Sequence, residues 1–527
     1  MTQLSEPLPA FNLWSEPWIT LERLDGETER QGIEQTLLRA QEFAFIYEPS
    51  PLVVVGIHRL LTAILQDALD PRRPPDLMGL WRAGQFPLKD MQAFGEQYAG
   101  RFDLFSSDAP FMQSADLPLQ PDQRDKTKKT IAYLAPEMPT GTGIIHYRHS
   151  TQDAQMFCPT CAAGGLVATP AFASSGGAGI KPSINGVPPM YVLPGGKSLF
   201  ESLASSVLLP KYLPAVASKK DDAAWWKRQP IVERRHEIHK VGYLHSLTFP
   251  ARRVRLHPQQ TNASCTRCGQ FSQWGVRTMV FQMGESRPRD APFWFDPFAA
   301  YRLPSGKSAQ SKKPTPIRPV AGRATWREFA NLFLLQPDAS RKTLRPRIVD
   351  QMAELEDEIE LDVYPFRCIG MRTDMKAKIF EWVDADQSVP QELLNDAHGG
   401  MMVNQAIQFA TDCAGIISWA FRQTFGGQSQ KGERYKRLKL HMQDDYWASL
   451  PSDFREFVLA IADPNQREDE ERRWPDKVVK QAQAAFKRAA QDVGDDAASL
   501  RQRTQGQILC DKLLYAKRKK EQADEDE

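Results

Sequence analysis

Two Cys-x-x-Cys pairs, Cys158-Pro-Thr-Cys161 and Cys265-Thr-Arg-Cys268, carry the most specific chemical signal in this sequence. Four thiolates can close a tetrahedral shell around Zn2+ at about 2.3 Å each, and a closed shell leaves no position where water could be activated. The spacing therefore predicts a structural Zn2+ held by Cys158, Cys161, Cys265 and Cys268. Residues 162–264 separate the pairs, too long a stretch for a compact zinc ribbon, so the ion would pin two distant loops together. Free thiols or a redox pair are the alternative. His236-Glu-Ile-His239 places its histidines at i and i+3, whereas a metalloprotease helix needs i and i+4; Arg234, Arg235 and Lys240 around it predict a surface helix. His146, His149 and Asp153 lie close to Cys158 in sequence and could serve a thiol nucleophile, a reading that leaves the second cysteine pair unused. With no GxSxG, no kinase signature and no convincing carboxylate pair, the sequence predicts no enzyme.

Phosphate neutralisation is the second chemistry on offer. Net charge is only +2, but ten Lys or Arg fall between Ser305 and Arg347 against two acids, Glu328 and Asp338. Such a segment can meet phosphates while the rest of the protein stays balanced. A solvated loop facing an acidic partner fits the same charges. The stretch 174–198 is rich in glycine, and its glycines permit close backbone approaches. Gly196-Lys197-Ser198 lacks the earlier glycine of a phosphate-cradling Walker loop, so an irregular surface loop is the alternative there.

These residues need a scaffold, and 527 residues suffice for more than one core. Apolar residues at 41% and charged residues at 25% suit an ordinary globular protein. No stretch approaches the roughly 18 apolar residues of a membrane span. The opening MTQLSEPLPAFNLW lacks the basic and apolar regions of a secretion signal. Seven cysteines are too few for a disulfide scaffold in a chain of this length, and the expectation is a cytoplasmic protein. Alternation over Trp18–Glu22 before Asp25-Gly26 predicts a strand and turn, and Pro51–Leu69 has helical periodicity with proline at its first turn. Residues 114–150 read as a long polar loop. Helical spacing recurs at Val403–Phe421, Phe454–Ile461, Val478–Ala489 and Leu500–Leu514. The predicted fold class is α+β: a large mixed α/β N-terminal domain over 1–388 with a zinc-pinned loop region, a C-terminal four-helix bundle over 389–518, and a disordered tail at 519–527.

Several short segments, taken in order, resemble the Cascade large-subunit family, often called CasA, of type I-E CRISPR complexes. They are FNLWSEPWITLERLDG, the helical PLVVVGIHRLLTAIL, Pro110-Phe-Met-Gln113, the cysteine pair at 158, GAGIKPSINGVPPMYVL and the C-terminal helices. The resemblance implies a non-catalytic, DNA-binding subunit that senses a short flanking motif, the PAM, while guide RNA reads the target by pairing. It implies three DNA-reading elements: a glycine loop at Gly177, Ala178 and Gly179, a lysine finger at Lys307, and a duplex-splitting wedge at Arg372, Thr373, Asp374 and Met375. It places docking near the guide's 5′ handle at Lys126, Lys128, Lys129, His146, Tyr147 and Arg148. The implied partners are the backbone, handle-binding and small protein subunits, the crRNA, duplex target DNA and a helicase-nuclease effector that would carry out catalysis. A zinc-containing nuclease and a zinc-pinned scaffold without DNA contact are the competing readings.

Overall fold

A computed structural model describes residues 7–120, 125–135, 137, 155–174, 180–214, 222–228, 235–304, 313–320, 322–336, 342–355, 359, 361–373, 379–426 and 432–525. The fold is mixed α+β. The chain divides into two compact units: Met1–Pro319 with Pro346–Glu360 and Pro365–Asp386, and Val320–Arg345 with Leu361–Tyr364 and Gln387–Glu527.

The first unit opens with β1 (Ile19–Arg23) and β2 (Thr28–Gln31), an antiparallel pair with Ile19 opposite Gln31. Gly26 sits in their turn at φ +86°, where a side chain would be strained. After α1 (Ile33–Leu38), β3 (Phe43–Ile46) pairs with the other edge of β1. α2 (Pro51–Leu69) starts on its proline and is buried from Pro51 through Gln66. By length and composition α2 could cross a membrane, a character not expected from the sequence; its burial makes it the central helix of the core. α3 (Pro74–Ala83) and α4 (Leu88–Tyr98) follow. Trp14 from the opening segment stacks on Phe94 at 5.5 Å, and Phe102 stacks on Phe111 at 5.6 Å, so the FNLW and PFMQ segments help build one aromatic core. Gln113 ties that core down: its side chain donates to the Leu104 carbonyl at 2.7 Å and accepts from the Leu256 N–H at 2.8 Å.

β4 (Lys128–Thr130) lies inside the stretch expected to be a loop. α5 (Pro159–Phe172) packs on α2, and β5 (Tyr191–Pro194), α6 (Leu199–Ser206) and the short α7 (Tyr243–Leu247) follow. Next come β6 (Arg252–Ser264) and β7 (Phe271–Met283), a long hairpin with Arg252 opposite Met283 and Ser264 opposite Phe271. Its register shifts between Leu256 and Pro258, where proline has no N–H to give the ladder. β4 adds to the free side of β7, Lys128 opposite Val280: within the stretch read as a loop, these three residues form a strand because the open ladder of β7 satisfies their backbone. β8 (Tyr301–Arg302) and β9 (Thr315–Pro316) form a two-residue antiparallel pair. α8 (Phe329–Phe333) and β10 (Thr343–Leu344) belong to the second unit, and α9 (Arg347–Glu354) to the first. β11 (Val363–Thr373) lies between β5 and β12 (Ile379–Pro390), with Arg367 opposite Leu193.

Five helices dominate the described second unit: α10 (Ala397–Phe425), α11 (Glu433–Ala448), α12 (Pro451–Ala462), α13 (Arg467–Gln491) and α14 (Ala497–Glu525). Asp396 caps α10 by accepting from the His398 N–H at 2.9 Å. Periodicity showed four of these helices; α11 escaped it because only Met442, Tyr446 and Trp447 of its length are buried. α14 runs through 519–525, the stretch expected to be a disordered tail. Lys517 leads into it with ion pairs to Glu521 one turn on and to Asp412 of α10, both at 3.0 Å.

Candidate metal centre

The cysteine pairs are delivered by two backbone devices. Phe157 exchanges hydrogen bonds with Val276 of β7, at 3.0 and 2.8 Å, which fixes the segment entering α5 on the sheet. Cys158 is then the residue that caps α5, with Pro159 at the first helical position and Cys161 in the first turn. The second pair sits in the β6–β7 connection. There the Cys265 N–H donates to the Gln270 carbonyl and the Gly269 N–H to the Cys265 carbonyl, both at 2.8 Å, and Gly269 turns the chain at φ +76°. The Thr266 N–H donates to the Met156 carbonyl at 2.9 Å and joins the two devices.

The four sulfurs all lie within 4.8 Å of one another. Cys158 Sγ and Cys268 Sγ are 3.7 Å apart; tetrahedral ligands at a Zn–S distance of about 2.3 Å would stand about 3.8 Å apart. Cys158, Cys161 and Cys265 are buried and Cys268 is exposed. Hydrogen bonds from the Cys158 and Cys161 thiols pull Cys265 far down, and a hydrogen bond from Cys161 lowers Cys268 to about 6. Cys161 is held up by its hydrogen bonds with Cys158, Cys265 and Cys268. The four thiols thus share their protons through mutual hydrogen bonds, and a dication would displace those protons on binding. The donor set fits a zinc ion, whose chemistry there would be to cross-link the start of α5 to the β6–β7 tip.

A four-thiolate zinc centre carries surplus negative charge, and Arg267 inside the second pair stands beside it. Burial works against the Arg267 charge, but Glu137 at 2.8 Å and Glu48 at 3.0 Å hold it protonated. Burial raises Glu48 above the usual carboxylate range, with Arg267 opposing. The sequence reading missed this trio, because no local pattern links residues 48, 137 and 267.

The other expected site residues are scattered. Lys128 and Lys129 stand half-buried on β4, Lys129 with its ammonium 5.7 Å from the Tyr133 ring, and Lys126 is exposed before the strand. Arg372 near the end of β11 pairs with Glu381 of β12 at 2.9 Å, and Thr373 closes β11. Gly177, Ala178, Gly179, Lys307, Asp374, Met375, His146, Tyr147 and Arg148 lie outside the described residues, as do His149 and Asp153. The His236–His239 segment is exposed or half-exposed as expected, but it is not a helix. Its His236 carbonyl and Ile238 N–H bond to Ser286 at 2.9 Å each, so the backbone is committed to a bridge. Much of the basic segment is spent on structure: Arg345 donates to the Phe333 and Leu394 carbonyls, Arg347 to those of Tyr212 and Leu213, and Arg323 pairs with Glu328 at 3.0 Å.

Comparison with known proteins agrees along the whole chain. Residues 12–492 match the family model described as CRISPR-associated protein Cse1. The CRISPR-associated protein CasA/Cse1 of Thermus thermophilus is 29% identical over 96% of this chain and 98% of its own length. The crystal structure of Cse1 from Acidimicrobium ferrooxidans matches with a TM-score of 0.79 at 20% identity, covering 98% of this chain and 99% of that one. A chain of a CRISPR RNA-guided surveillance complex matches with a TM-score of 0.70 at 19% identity, covering 95% and 99%. A family match of this extent, on a fold shared over 95–98% of the chain, makes the chain a member of the CRISPR-associated CasA/Cse1 family.

Proposed function

We propose that this chain is the non-catalytic, cytoplasmic large subunit of a type I-E Cascade complex, where it senses the PAM on duplex DNA and helps open the target for guide pairing and R-loop formation. The observation that carries the reading is the fold shared over 95% of the chain with a protein solved inside a CRISPR RNA-guided surveillance complex. In such systems pairing reads the sequence and protein reads the short flanking motif. Gly177, Ala178 and Gly179 would bring backbone amides to the groove floor, and Lys307 would donate to its acceptors. The minor groove presents a degenerate pattern, so the readout would be permissive. Arg372, Thr373, Asp374 and Met375 would wedge the duplex beside the PAM, with β11 and β12 as the hairpin arms and the Arg372–Glu381 pair bracing their end. Lys126, Lys128 and Lys129, with His146, Tyr147 and Arg148, would dock at the guide's 5′ handle by backbone contacts and stacking. The C-terminal helices would form the bundle that meets the small subunits, and the helicase-nuclease effector would land on this subunit and supply the chemistry. The cysteine centre would hold a structural Zn2+ with no open coordination position.

The test is binding of guide-loaded complex to duplexes that differ only in the PAM, with either the native chain or Lys307→Ala combined with Gly179→Asp. The native complex is expected to discriminate between PAMs, and the double variant to assemble but lose that discrimination. Binding indifferent to both the PAM and the substitutions would overturn the sensor role.

A further inference from the structure

The sheet of β1, β2 and β3 has one face in the core and one in solvent. Ile19 and Leu21 of β1 and Ile46 of β3 are buried on the inner side. Strand alternation sends their neighbours outward. On the outer face Glu22 lies opposite Thr28 of β2 and Phe45 of β3, and Thr20 lies opposite Arg30 of β2. Tyr47, just beyond β3, continues the row, its N–H donating to the Thr20 carbonyl at 3.0 Å. Phe45 and Tyr47 are thus neighbours on this face, and they are 44% and 49% exposed.

The β6–β7 tip extends the face on its β2 side. Arg30 donates to Thr20 Oγ1 at 3.2 Å and to the side-chain carbonyl of Gln270 at that tip. Phe271, next in sequence, is 68% exposed. Exposed apolar side chains scattered singly are ordinary, whereas several grouped on one face mark an interaction site. Aromatic residues are also the type enriched at the centres of protein interfaces.

Charge decides what kind of molecule this face takes. From Glu16 to Glu48 the chain carries eight acids against three arginines. Arg23 and Arg39 are spent on Asp25, Glu29 and Glu42. Arg30 is bound to neutral groups. Glu22, in the middle of the face, and Glu27, beside Thr28, have no cationic partner among the described residues. Exposed rings can stack on bases, but these carboxylates would repel a phosphate backbone. A protein surface with Lys or Arg beside apolar side chains is instead attracted by the acids and covers the rings. We propose that the outer face of this sheet, centred on Phe45, Tyr47 and Glu22, docks a basic and partly apolar surface of a partner protein subunit. The inference rests on the large-subunit reading and adds an interface in the first unit, apart from the C-terminal helices.

Binding of the full chain to guide-loaded complex lacking this subunit, followed by interferometry, tests it. Phe45→Ser with Tyr47→Ser is expected to weaken binding by at least about tenfold, equivalent to about 1.4 kcal/mol. Both side chains stand half in solvent, so the melting temperature of the free chain should stay near the native value. Glu22→Lys should slow association at low salt, and native association should slow as salt rises. Benzoylphenylalanine introduced at Tyr47 and photo-activated in the assembled complex identifies the occupant. A cross-link to a Lys- or Arg-bearing peptide of another subunit upholds the proposal. A cross-link to guide RNA or to a second copy of this chain, or none at all, overturns it. A native chain that fails to bind the complex overturns the large-subunit reading and this interface with it. Native binding that the double substitution leaves unmoved overturns the interface alone.

Discussion

At the scale of residues, the cysteine centre was legible because its chemistry is local: each CxxC is readable within four positions, and thiolates have few other uses in such spacing. Arg267, Glu48 and Glu137 were not legible, because charge compensation is decided by neighbours brought together only in the fold. In the basic segment charge alone says less than geometry, since Arg323, Arg345 and Arg347 hold backbone and carboxylate groups within their own units. The centre supports a specific expectation. Cys161→Ser removes a buried sulfur from a closed shell, so metal content by plasma mass spectrometry should fall well below the native level. The loss of the cross-link between α5 and the hairpin tip should cost about 2–5 kcal/mol, by analogy with removal of a native disulfide. A variant that keeps both its metal and its melting temperature would show that the four sulfurs do not act as one site.

Elements were legible where periodicity was strong and one-sided. α2 was readable to both of its ends, since Pro51 opens it and apolar residues recur at helical spacing from Leu52 to Leu69. The β6–β7 hairpin went unread despite its length, because Pro258, the bulges and a run of polar residues at its tip blur the alternation. β4 is three residues long and polar, and exists because β7 offers it an open ladder. Close packing of elements can also be tested. A Cβ at Gly56 of α2 would stand 2.7 Å from the Val167 carbonyl and the Ala168 nitrogen of α5, both backbone atoms that cannot swing aside. Gly56→Ala should therefore force α2 and α5 apart and destabilise the first unit by about 1–3 kcal/mol, even though alanine favours helices. Gly79 in α3 is the control: nothing lies within 4 Å of its Cβ position, so Gly79→Ala should be neutral or stabilising in the same thermal scan. Equal effects at the two positions would rule out the crossing as the cause.

Over the whole molecule, the short family-like segments that pointed to CasA have structural work in the first unit: Trp14 and Gln113 build and tie down one aromatic core, Cys158 starts α5, and Asn185 bonds to the buried Asp296. The composition of the second unit follows a different logic. A linear scan groups α10, α12, α13 and α14 by their helical spacing, but the unit also takes up α11 and Val320–Arg345, whose periodicity is too weak or too short to announce a partner. Trp326 is the reason this segment belongs there. Its ring lies 4.6 Å from Phe454 and 5.8 Å from Trp447, Phe329 adds an edge contact to Phe454 at 5.6 Å, and the Arg327 guanidinium stands 3.6 Å over Trp447. Trp326→Ala in the full chain should thus destabilise the helices by about 3–5 kcal/mol, the usual cost of emptying a large aromatic site. Far-ultraviolet circular dichroism should record the loss as an earlier melting of helix. A fragment of residues 387–527 lacks the whole segment, leaves Trp447 and Phe454 uncovered, and should melt at least as early as the substituted chain. If that fragment instead melts with the helices of the intact protein, Trp326 covers the unit without helping to build it, and the helices alone are its core.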